Sequence, residues 1–227
     1  MGDVMDVSEI RQEIADLVSG RVAIADGVIP PLAFVSANAV WGLVPAAIAG
    51  VGSAVAIISW RLTRGKRLRF AIAGLAGTLL AVVLALRSGS SQDYFVPGIV
   101  GGALTSVLIL VSVLVRRPFV ALTSWVARGW PLQWYWHPRV RPAYSRVTWM
   151  WFFFFGARTL LQGYLYLAGN TGLLGVVRVV LGWPALLVLL VATYVLGRRW
   201  LVGLGGPSVA EFEAGAPPPW QGQPRGF

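Results

Sequence analysis

The chain has 227 residues, 56% of them hydrophobic and 12% charged, with nineteen Lys and Arg against nine Asp and Glu for a formal net charge of +10. A soluble domain carries about 25% charged residues, so this composition excludes an ordinary water-soluble domain; the lack of Cys excludes disulfides, thiolate metal sites and Cys nucleophiles. Eighteen of the nineteen cations are Arg, set between apolar runs rather than along an amphipathic stripe, which speaks for membrane topology and anionic lipid heads and against nucleic acid.

Residues 1–24 form the first predicted element, an acidic amphipathic helix over Asp6–Ser19. Asp6 and Glu9 have the spacing of a capping box, Gly20 is the stop, and Val7, Ile10, Ile14, Leu17 and Val18 share one face. Its acids suit basic cytoplasmic loops or a protein partner better than an anionic leaflet. An acidic start is also unlike the basic start of a secretory signal peptide.

From Gly27 to Trp60 there is no charge for 34 residues. As one helix this run would reach about 50 Å, too long for one crossing of a core about 30 Å thick. Gly42-Leu43-Val44-Pro45 supplies the break, giving helices over about 25–43 and 45–61. Further apolar helices are predicted over 70–86, 94–115 (with Pro97 in its first turn), 147–168 and 173–196 (kinked at Pro184). The fold class expected is all-α, a polytopic bundle of six transmembrane helices within 25–200. Sixteen of the nineteen cations then fall on one side, with Arg87 opposite and Arg158 and Arg178 inside spans. Positive residues mark the cytoplasmic face, so both termini are expected inside.

Between the fourth and fifth spans, Pro118–Arg146 holds Trp125, Trp130, Trp134, Tyr135 and Trp136 among its arginines. Trp and Tyr favour the headgroup level, so this loop is expected to lie on the membrane surface, with His137 as an interfacial residue. The Gly/Pro-rich tail, 201–227, is expected to be disordered.

Polar residues inside spans need a reason. Arg158 lies about 11 residues into the fifth span, where a charge costs several kcal/mol unless it faces protein or water. Gln162 and Tyr166 follow on the same helix face. Arg158, Gln162 and Tyr166 with Asn38 of the first span outline a polar cavity for an anion, headgroup or substrate. The other reading is a structural bond from Arg158 to backbone carbonyls or to Asn38. Arg178 either snorkels or forms a structural ion pair with Asp93. Small residues recur at four-residue spacing (Ala46, Gly50, Ala54; Ala73, Gly77; Gly98, Gly102), faces that allow close helix approach or a homo-oligomer. Catalysis usually needs carboxylates, a His or a metal. The acids near the bilayer are Asp26 and Asp93, and no phosphate-cradling loop is present, so neither an enzyme nor a cofactor nor a metal is expected.

The order of several short motifs resembles an actinobacterial family of integral membrane proteins, domain of unknown function 3159. They are Asp26 with Pro30, the Arg-rich loop after the second span, Asp93-Tyr94-Phe95-Val96-Pro97-Gly98, Arg158 with Gln162, Tyr166, Leu167 and Gly169, and Arg178 with Gly182 and Pro184. The resemblance spans roughly residues 20–200 and implies an inner-membrane protein. A more distant similarity to intracellular septation protein A implies a cell-envelope role. Two functions follow as expectations: a non-catalytic scaffold or regulatory subunit for a membrane-protein partner, or a small transporter, channel or lipid-binding protein built around Arg158.

Overall fold

The structure, a computed structural model, describes residues 21–64, 69–223 and 227, with backbone alone for 21–27 and 69–71. The predicted helix within 1–24 therefore lies outside the described residues, as does most of that segment. No strand occurs among the described residues; the chain runs α1 (Arg21–Trp41), α2 (Leu43–Thr63), α3 (Arg69–Ser88), a 3-10 turn (Ser91–Phe95), α4 (Val96–Leu114), α5 (Phe119–Arg128), α6 (Leu132–Tyr135), α7 (Arg141–Leu167), α8 (Thr171–Val180), α9 (Trp183–Gly203) and α10 (Val209–Glu213). Among the described residues, three helical stretches are long and apolar enough to cross a membrane: Leu43–Thr63, Ser91–Leu114 and Thr171–Gly203. Val28–Trp41 and Ile72–Ser88 are shorter apolar helices. Many large apolar side chains face outward, among them Ile48, Leu104, Leu108 and Leu160 at 60–76% exposure. Such a surface suits lipid far better than water.

The helices gather into two units. The first comprises Met1–Ile99 and Gln162–Leu186. Its heart is the α1–α2 hairpin, turned at the single residue Gly42 with φ of 81°, a conformation that favours glycine. Ala46, Gly50 and Ala54 line the buried face of α2. A Cβ on Gly50 would lie 3.5 Å from that of Phe34, an ordinary van der Waals contact, so the hairpin packs closely here with room for no more than a methyl group. Phe34 in turn stacks on Tyr94 with ring centroids 3.9 Å apart, and α3 adds Ala81, Val82 and Ala85 to the same core. The other small pair on α3, Ala73 and Gly77, faces outward, so that expected packing face is not the one used.

The second unit, Val100–Leu161 with Leu187–Phe227, has an aromatic core. Trp134, Tyr135 and Tyr144 are fully buried, packed edge-to-face with centroids 5.0 to 6.2 Å apart. The expected surface loop is therefore two short helices, and Trp134 and Tyr135 are core residues rather than headgroup anchors. Their polar ends explain how: the Trp134 indole donates to the Pro207 carbonyl at 2.9 Å, and the Tyr135 hydroxyl meets Ser124 at 3.1 Å. The tail also departs from its expected disorder. Ser208 and Glu211 form a capping box that starts α10, and Phe227 is buried, stacked on Tyr144 at 4.3 Å and seated against Gly197. Gly and Pro there end helices and turn the chain, while Phe227 binds it back to Tyr144 and Gly197.

Candidate functional site

The polar residues of the first unit converge around the 3-10 turn. The turn, Ser91–Phe95, opens with the polar Ser91-Gln92-Asp93 between α3 and the apolar α4, and the Ser91 and Asp93 side chains bond to other helices rather than to the local backbone. Ser91 donates its hydroxyl hydrogen to Asn38 Oδ1 at 2.6 Å, joining the turn to α1. Tyr166, in the last turn of α7, donates its hydroxyl hydrogen to Asp93 Oδ1, also at 2.6 Å. The Ser88 side chain lies on the same carboxylate. Beyond α7, Gly169 reverses the chain with φ of 75°, and the Asn170 side chain caps α8 by accepting from the Leu173 amide at 3.0 Å. One carboxylate with its tyrosine donor and one carboxamide with its serine donor thus tie α1, the turn and α7 together across 53 and 73 positions of sequence.

Of the four residues expected to outline a cavity, Asn38 and Tyr166 lie in this unit, each spent on a bond to the turn. Gln162 is buried in the same unit with its Nε2 donor lacking any hydrogen-bond partner. Arg158, one helical turn earlier on α7, belongs to the second unit, where it is half-buried and engaged.

The expected Asp93–Arg178 ion pair does not form among the described residues. Asp93 is taken by Tyr166, whereas the Arg178 guanidinium lies 5.8 Å from the Phe95 ring centre and against Gly98. Sequence reading missed Ser91 as the partner of Asn38 and Gly98 as the seat of Arg178. The signals were a polar triplet abutting an apolar run and a small residue one turn after Asp93-Tyr94-Phe95, but neither names its partner.

In the second unit the arginines stack on tryptophans. Arg117 lies 4.4 Å from the Trp136 ring centre, Arg128 5.0 Å from Trp130, Arg139 5.5 Å from Trp220 and Arg146 5.9 Å from Trp200. Arg117, Arg139 and Arg146 remain exposed, so each stack presents a positive, flat, amphipathic surface. His137 sits among them against Phe212 and Trp220; burial first, then the nearby Arg139 charge, hold its imidazole below the usual range. Burial likewise raises the Tyr135 phenol above its ordinary value.

No curated protein and no solved structure matches this chain. The family described as "Protein of unknown function (DUF3159)" matches residues 18–201, which takes in all of the polar cluster around the turn. The match covers most of the sequence, and the chain belongs to that family.

Proposed function

We propose that the chain is a non-catalytic scaffold or regulatory subunit of the inner membrane of an actinobacterial envelope. In this reading it crosses the bilayer six times with both termini in the cytoplasm. The observation that carries it is the pairwise use of polar side chains: Tyr166 with Asp93 and Asn38 with Ser91 are spent on holding helices together. The one-sided arginines and the Arg–Trp stacks support a cytoplasmic face in contact with anionic headgroups. A second reading, a small transporter, channel or lipid-binding protein around Arg158, draws support from the buried, unpartnered Gln162 Nε2, since a donor left without an acceptor costs about 1–3 kcal/mol.

The absence of Cys allows clean site labelling. Ser90→Cys is expected to react with an impermeant maleimide on intact cells, and Gln133→Cys only after permeabilisation. The reverse pattern would overturn the topology. Photo-crosslinking from the α10 surface is expected to capture a defined membrane partner. Potassium, proton, chloride or phosphate flux in proteoliposomes that needs Arg158 or Gln162 would overturn the scaffold reading.

A further inference from the structure

Arg178 is a half-buried cation within an apolar helical stretch. Among the described residues its guanidinium has neither a carboxylate partner nor a hydrogen-bond acceptor; its neighbours are the Phe95 ring, the neutral Tyr94 phenol and Gly98. Asp93, the acid of the 3-10 turn in the same unit, is occupied by Tyr166. Within an apolar stretch such as Thr171–Gly203, an uncompensated charge is expensive and marks a functional position. Arg178 stands in the last turn of α8, whose carbonyl end offers only about half a negative charge.

The position is also built rather than loose. Nη1 and Cζ of Arg178 come closer to Gly98 than a Cβ there would allow, so the guanidinium in its present place occupies space that the glycine leaves open. Phe95 lies on another side of the same group. A guanidinium fixed in this way presents a planar fork of donors, which matches two oxygens of a phosphate better than a single-point anion. Arg158 is not a second copy of this arrangement, because it is already engaged.

We propose that Arg178, seated on Gly98, is the anchor of a phosphate-binding site, filled either by the phosphodiester of a membrane lipid or by free inorganic phosphate. The proposal rests on the membrane placement of Thr171–Gly203, which the Cys labelling above tests separately from it.

Purified protein in a phosphate-free detergent is compared as wild type, Arg178→Gln, Arg178→Lys and Gly98→Ala, each checked for helix content and monodispersity. Native mass spectrometry reads retention of added phosphatidylglycerol against a phosphate-free galactolipid. Calorimetry with inorganic phosphate reads the free-anion arm. Wild type is expected to bind one phosphate-bearing ligand, weakened about tenfold or more in Arg178→Gln. Arg178→Lys is expected to retain part of the affinity, keeping the charge but losing the fork. Gly98→Ala is expected to weaken binding with the cation intact, which keeps the test open should Arg178→Gln fail to fold. Binding of phosphatidylglycerol alone identifies a lipid headgroup as the source; binding of inorganic phosphate identifies the free anion. Equal retention of galactolipid and phosphatidylglycerol, or equal binding by wild type and Gly98→Ala, would overturn the proposal.

Discussion

The two units solve the same problem with opposite materials. The first is held by close approach at small residues: α1 and α2 meet at Phe34 and Gly50, the Arg178 guanidinium lies on Gly98, and few polar bonds fix the register. The second is held by bulk, with Trp134, Tyr135 and Tyr144 filling its centre and their polar ends tied to Pro207 and Ser124. In lipid, helices gain nothing from hiding apolar surface, so close backbone approach and dispersion must do the binding. Large amphipathic rings are more useful where water, headgroups and protein meet. The contrast teaches that small-residue packing and aromatic packing can each organise a helical core within one chain.

Substitutions can break or sharpen this contrast. The largest effect is expected from Trp134→Ala, which empties the centre of the second unit and orphans the Pro207 carbonyl. A loss of about 3–5 kcal/mol is anticipated, read as a lower thermal midpoint and fast exchange of the α10 amides. Gly50→Leu attacks the first unit by addition; with Phe34 already 3.5 Å from a bare Cβ, overpacking by about 1–3 kcal/mol should splay the hairpin and expose Phe34 to chemical footprinting. If Gly50→Leu were harmless while Phe34→Ala was severe, the two units would be packed alike and the comparison would fail.

Tyr166→Phe removes one hydrogen bond to Asp93 and leaves the shape intact. Interhelical bonds in membranes average about 0.6 kcal/mol, whereas bonds to a charged group reach about 1.5–3. A loss of about 1–2 kcal/mol is expected, and a value near zero would remove the polar lock from the account of the first unit. The smallest effect concerns Glu211. Backbone amides of Gln221 and Ser208 hold its carboxyl below the ordinary carboxylate range. The folded value is the lower one, so the contribution is present above the unfolded value and fades as pH falls through the folded one. The protection factors of the Ser208 and Gln221 amides, taken against the intrinsic exchange rate at each pH, should fall on acidification in wild type, and already be low at neutral pH in Glu211→Gln.

What the sequence made readable were features with a local cause. The hairpin break appears at Gly42, where a charge-free run is too long and a glycine stands just before a proline, and α8 and α9 separate at Leu181–Gly182, just before Pro184. Four-residue spacing identified Ala46, Gly50 and Ala54 correctly as a buried face, yet the same rule chose Ala73 and Gly77, which face outward. Spacing shows that a face is smooth, not that a neighbour lies on it. Asp93 was recognised as needing a partner, but opposite charge favoured Arg178, whereas the chain reversal at Gly169 brings Tyr166 to it instead. The order of the tail was hidden for a related reason. Its composition is poor in apolar residues, and its anchors, Trp134, His137 and Tyr144, lie more than 60 positions away.

The one-residue turn at Gly42 bears on how the protein is made. With α1 ending at Trp41 and α2 beginning at Leu43, there is no loop to carry across a bilayer by itself. Read as crossings, the two helices must leave the translocation channel as a pair, because a half-inserted hairpin would strand its turn and the adjacent helix end in hydrocarbon. Their orientation is then a single decision of the insertion machinery, governed by the arginines that follow α2, and an error there inverts both helices or neither.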